Sequence, residues 1–182
     1  MAGRTTVLNA HAERVAPLLV DAFPRHSEAI TVDEQGDVSI EIECPSRSVD
    51  AGLSIWTWNE DVVVGFHTHH AHFSDWGRSG ADDYIEAAIR TANEVLVEKL
   101  VVVSWYLRGQ PEPDITMFEA TAPALAEFQR WSQPTIGGWL RRRVVRPWTG
   151  WLPHEVVNRL RRVDVTLRSW EGTYNVGRTQ RD

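Results

Sequence analysis

Several things are scarce in this chain, and each scarcity removes a class of answer. Its 182 residues hold one cysteine, Cys44, so no internal disulfide can form. That usage suits a reducing compartment, and a cytoplasmic protein is expected. Lysine is present only as Lys99 among 19 basic residues, a bias that points to a GC-rich bacterial source and carries no mechanism. The apolar runs are a handful of residues long, too short to cross a bilayer. Residues 1–6 lack the apolar core of an export signal. There is no Gly-x-Ser-x-Gly, no P-loop and no Gly-x-Gly-x-x-Gly, so the common local signatures of hydrolases and nucleotide binders are missing. Cys44 precedes Pro45 with no histidine beside it, and His154 stands alone next to Glu155, so neither looks catalytic. No repeat or linker divides the sequence. One domain over 1–182 is expected, with residues 1–8 and 175–182 as frayed ends.

Charge is present but uneven. The net charge is −6. Residues 1–91 carry 15 acidic side chains and 6 arginines, whereas residues 92–182 carry 10 acidic and 13 basic ones. The overall acidity argues against a nucleic-acid binder. The arginines of 141–168 form either a local basic face or a solvated surface paired with the acidic half. Tryptophan is abundant, with nine residues. Each buried indole N–H needs a partner, so the nine are expected to be divided between the core and a groove or interface.

The periodicities give an order of elements. Asn9 caps a helix whose apolar stripe is Val15, Leu18, Leu19, Ala22 and Phe23, with Pro17 expected to kink it or delay its start. Val38, Ile40 and Ile42 alternate with polar residues, as in a strand wet on one face. Residues 53–58 and 61–66 form a hairpin around Asn59-Glu60. Residues 74–80 read as a loop, and 81–98 as a helix with Ile85, Ile89, Ala92 and Leu96 inward. A strand follows at 100–107, another from Ile115, and a short helix from Thr121. The segment 139–145 reads as an Arg-bearing strand, 153–160 as a helix and 163–168 as a last strand. The fold class is α+β: a mostly antiparallel sheet with helices packed on one face.

Four of the seven histidines, His67, His69, His70 and His72, fall within six positions. They follow Val62-Val63-Val64-Gly65-Phe66. A strand continued through them puts His67 and His69 on the face of Val63 and Gly65, and His70 and His72 on the opposite face. Either His-x-His pair has a spacing that a metal ion bridges; in the metal reading His67 and His69 supply two ligands and Asp82 or Asp75 a third. The plainer alternative is a set of structural and solvated strand histidines, or a contact patch that responds to pH.

Phe66-His67-Thr68-His69 followed by Ser79-Gly80-Ala81-Asp82 resembles the JAMM/MPN+ metallopeptidase motif, in which a strand delivers His-x-His and a Ser-x-x-Asp supplies a helix-borne aspartate. The sequence departs from it at His70, where that family has proline, and in a longer spacing to Ser79. That resemblance implies a zinc hydrolase with His67, His69 and Asp82 as ligands.

A second resemblance is broader. Val62-Val63-Val64-Gly65-Phe66, His70-Ala71-His72-Phe73, the helix from Ala81, Leu100-Val101-Val102-Val103-Ser104-Trp105 and Ser169-Trp170-Glu171-Gly172-Thr173-Tyr174 are similar to small bacterial proteins likened to immunity proteins of polymorphic toxin systems. It spans 53–107 and 163–174 and implies a cytosolic protein that binds and neutralises a partner toxin, with no catalytic residue and no cofactor. An acidic half with exposed aromatics suits a basic protein partner. The expected contact residues are Trp56, Trp58, His67, His69, His70, His72 and Trp76. The zinc hydrolase is the alternative.

Overall fold

The computed structural model describes residues 7–47, 49, 51–75, 83–107, 110–113, 115–132 and 163–175. The expected elements at 139–145 and 153–160 lie outside these residues. The first helix, α1 (Ala10–Ala22), begins where the sequence places it, because the Asn9 side chain accepts the N–H of Ala12 at 2.8 Å. Pro17 does not delay it. Pro17 and Glu13, whose carbonyl loses its helical partner, both lie on the exposed side, where water replaces the missing bond. A 3₁₀ turn over Pro24–Ala29 leads into the strands.

Five antiparallel strands follow in simple meander order: β1 (Ile30–Val32), β2 (Val38–Ile42), β3 (Leu53–Trp58), β4 (Asp61–Phe66) and β5 (His69–Ser74). The β3–β4 hairpin has the expected bounds, and Asn59 takes the left-handed conformation its turn requires (φ 55°). Alternation along these strands buries Ile40, Ile55, Val62, Val64 and Phe66 on one side. That inner side is covered by Ala12, Val15 and Leu19 of α1 and by Ile85, Ala88, Ala92 and Val95 of α2 (Asp83–Leu96). None of these twelve side chains but Phe66, at 1 %, has any measurable exposure.

The remaining strands form a second antiparallel sheet in the order β7 (Ile115–Ala120), β6 (Leu100–Leu107), β8 (Val163–Arg168). Central β6 is buried on both faces, which explains its nearly unbroken apolar sequence. Val102 joins the main core, while Val101 and Val103 meet Leu167 and Ala124 of α3 (Thr121–Ser132) in a second one. The architecture is therefore α+β with antiparallel pairing throughout the described strands, divided between two sheets.

After β8 the chain folds back over the main core. Trp170 is 7 % exposed and packs its ring 5.8 Å from that of Phe66. The Cys44 thiol donates to the Trp170 carbonyl at 3.0 Å, the Glu98 carboxylate accepts the N–H of Glu171 at 2.9 Å, and the Asn175 amide donates to the Ser46 hydroxyl at 3.0 Å. Gly172 turns this hook with φ 83°, a conformation that admits glycine readily. Burial, then the negative charges of Glu171 and Glu98, push the Cys44 thiol above its ordinary range despite an opposing backbone bond at Ser46, so the protonated thiol is favoured. Burial alone would raise the Glu98 carboxyl, but bonds from Ser169, Thr173 and Glu171 outweigh it and hold Glu98 below its ordinary range. No helix of the described residues is long and apolar enough to cross a membrane.

Candidate functional site

The histidine segment does not continue β4. It reverses. His67 and Thr68 form a two-residue turn, with His67 at φ 55°, and the chain returns as β5 against β4 in the register Phe66↔His69, Gly65↔His70, Val63↔His72, Asp61↔Ser74. The expected sharing of a face by His67 and His69 is thereby overturned: His67 sits in the turn and His69 begins the return strand. The physical reason is the edge of β4. A straight extension would leave its N–H and C=O groups unpaired, whereas reversal lets residues 69–74 satisfy them. Histidine is also among the few residues that tolerate the left-handed turn conformation.

This register sorts the segment into two faces. Ala71, Phe73 and His69 turn with Phe66 and Val64 towards the helices and the second sheet. His69 is half-buried there, its Nδ1 hydrogen-bonded to the Thr116 hydroxyl of β7 at 2.9 Å and its ring edge-on to Phe118 with centroids 4.7 Å apart. Burial, and after it the neighbouring His70, push the His69 imidazole below its ordinary range, so the neutral form is favoured. Thr68 reaches the same sheet, its hydroxyl 3.4 Å from that of Ser104. His69 thus joins the first sheet to the second.

The opposite face carries the tryptophans and the other two strand histidines. On β3, Leu53, Ile55 and Thr57 are buried, so Ser54, Trp56 and Trp58 point outward. Pairing sets Trp56 across from Val63 and Trp58 across from Asp61. His70 and His72 lie beyond, on the far side of β4. The four rings make a continuous outer surface: Trp58 to His72 5.7 Å, His72 to His70 5.3 Å, and His70 to Trp56 6.5 Å between centroids. Gly65 makes room for it. A Cβ there would come within 3.0 Å of the Trp56 ring and 2.8 Å of the Ser54 hydroxyl, so a larger residue would push both side chains aside and lift the indole off β4. Val63, covered from both sides by Trp56 and His72, is fully buried although it faces outward.

One carboxylate holds the edge of this surface. Asp61 accepts from the His72 Nδ1–H at 3.0 Å and from the Ser74 hydroxyl. Further hydroxyls lie beside Trp56, where Thr31 and Ser39 are 2.9 Å apart. Trp58 is 55 % exposed, the most open aromatic side chain in the described residues. Between Arg25 and Arg78 the chain carries ten acidic residues against Arg47 alone, so the sheet built from this stretch presents almost no fixed positive charge.

Of the expected contact residues, the structure brings Trp56, Trp58, His70 and His72 together on the outer face, puts His67 in the turn and His69 on the inner face with its ring still 6.4 Å from that of His70, and leaves Trp76 outside the described residues. Asp82 and Ser79 also lie outside. Among the described residues no group of three or more His, Cys, Asp or Glu side chains is placed to hold a metal ion. Sequence reasoning missed Asp61, Ser74 and Gly65. The usable signal was the polar–apolar alternation of His70-Ala71-His72-Phe73, which marks a fresh strand with one wet face. No protein-family model, curated protein or solved structure matches the chain.

Proposed function

We propose that the chain works as a binding protein for a basic protein partner, in the manner of an immunity protein neutralising a toxin, through the outer face of Trp56, Trp58, His70 and His72. The observation that carries this reading is the exposed ring surface on a sheet nearly free of cations. Tryptophan rings concentrate binding energy at protein interfaces, and an indole face attracts arginine and lysine side chains. Asp61 and Glu41, on the same face, supply the opposing charge. A nucleic acid would meet these carboxylates and, on the described strands β1 to β5, no lysine or arginine to receive its phosphates, which argues against that class of partner.

The test first asks whether a toxin-like gene lies beside the coding sequence and then uses its product; absence of such a gene would count against the reading. Co-expression should rescue growth, and the purified pair should associate faster at low salt. Trp58→Ala should leave the urea midpoint unchanged, since the side chain is exposed, while weakening binding by about 2 kcal/mol or more, roughly 30-fold. Undiminished binding by both Trp58→Ala and Trp56→Ala would overturn the assignment of the face.

A further inference from the structure

We propose that His70 and His72 form a two-imidazole clip for a first-row divalent metal ion of the zinc, nickel and copper class. This is a site distinct from the pair His67 and His69, and it does not depend on the identity of any protein partner.

The argument is geometric. In β5 the two residues are separated by one position and point to the same, outer side, across from Gly65 and Val63. Their ring centres are 5.3 Å apart. With a metal–nitrogen bond of about 2.0–2.1 Å and the ring centre about 1.1 Å behind the nitrogen, two imidazoles on one tetrahedral ion have centres about 5.2 Å apart. The backbone thus already holds the rings at a chelating separation, and only rotation of exposed side chains is needed to aim the lone pairs. Among the described residues, His70 has ring contacts with Trp56, His69 and His72 and no side-chain hydrogen bond that competes for its nitrogens.

Asp61 supplies the support that protein metal sites give a histidine ligand. By accepting the Nδ1–H of His72 at 3.0 Å it selects the tautomer whose Nε2 carries the free lone pair. The remaining coordination positions are open to water. Imidazole donors favour copper, nickel and zinc over magnesium or calcium, and the order of affinities places copper highest.

The same geometry provides the readout. Trp58 lies 5.7 Å from the His72 ring and Trp56 6.5 Å from the His70 ring, close enough for a bound paramagnetic ion to quench both. Untagged protein titrated with nickel(II) chloride should lose part of its tryptophan emission saturably below about 1 mM, with one ion per chain by calorimetry and recovery of emission on adding zinc. His70→Ala and His72→Ala should each weaken binding at least 10-fold, because one ligand of the chelate is gone. Asp61→Asn should weaken it by about 10-fold through the lost support. His69→Ala, whose ring faces the second sheet, should leave nickel affinity unchanged. Quenching that does not saturate below about 1 mM, that survives His72→Ala, or that is abolished by His69→Ala would overturn the proposal. None of these outcomes bears on partner binding, which is read by the separate Trp58→Ala experiment.

Discussion

At the scale of single residues, His69 shows how a position on one strand decides a side chain's role. It neighbours His70 in sequence, yet faces the opposite way, packed against Thr116 and Phe118 while His70 is open to solvent. Burial first, and His70 second, make the folded protein resist a proton on this ring. The unfolded chain accepts that proton near the ordinary value of about 6.5. Below it the unfolded state binds more protons, so stability falls as pH drops through this window towards the lowered folded value. The urea midpoint should therefore decline between pH 7 and pH 5.5, and decline less in His69→Asn, whose amide can still reach Thr116. An imidazole resonance of His69 titrating at or above the ordinary value would contradict the burial argument. Neither the orientation of His69 nor its partner was legible in the sequence. Thr116 is 47 residues distant, and no local pattern encodes a contact between two sheets.

At the scale of elements, the sequence was most informative where local chemistry alone sets the boundary. Asn9 fixes the start of α1 by an i to i+3 bond, and its amide also donates to Asp37 at 2.9 Å, tying the helix to the start of β2. Asn9→Ala should cost about 1–2 kcal/mol, more than a cap alone in an isolated helix, and urea denaturation with an unchanged slope measures it. A cost below about 0.3 kcal/mol would show that the cap is redundant. The hairpin of β3 and β4 was legible for a related reason: alternation on one side and Asn59 in the turn. The β4–β5 reversal was not, because His67-Thr68 carries none of the glycine or asparagine signals of a tight turn. The continuous burial of Val62 to Phe66 also hid the period that would have shown where one strand stopped.

At the scale of the whole molecule, the α+β class followed from the order of periodic segments, and the partition into two sheets did not. Strand partners depend on register and on long-range closure, and β8 reaches β6 across some sixty intervening residues. The candidate surface was half legible. Composition announced exposed tryptophan and a histidine cluster, but the pairing that assembles Trp56, Trp58, His70 and His72 depends on three strands in register. The hook of residues 169–175 binds these parts together, and Trp170 is its anchor. Trp170→Ala should cost about 3–5 kcal/mol, read as a lowered urea midpoint. A loss under about 1 kcal/mol would mean that the main core is complete without it.

That anchor also sets a clock on synthesis. Phe66 is made early and its covering ring late. At translation rates of about 5–20 residues per second, the chain between them takes on the order of 5–20 s to appear. Throughout that interval the nascent protein has a hairpin whose apolar side lacks part of its roof. The period of greatest exposure to misassociation or to capture by chaperones therefore falls before residue 170 emerges, and slow codons placed upstream of it would lengthen the exposure without altering the finished molecule.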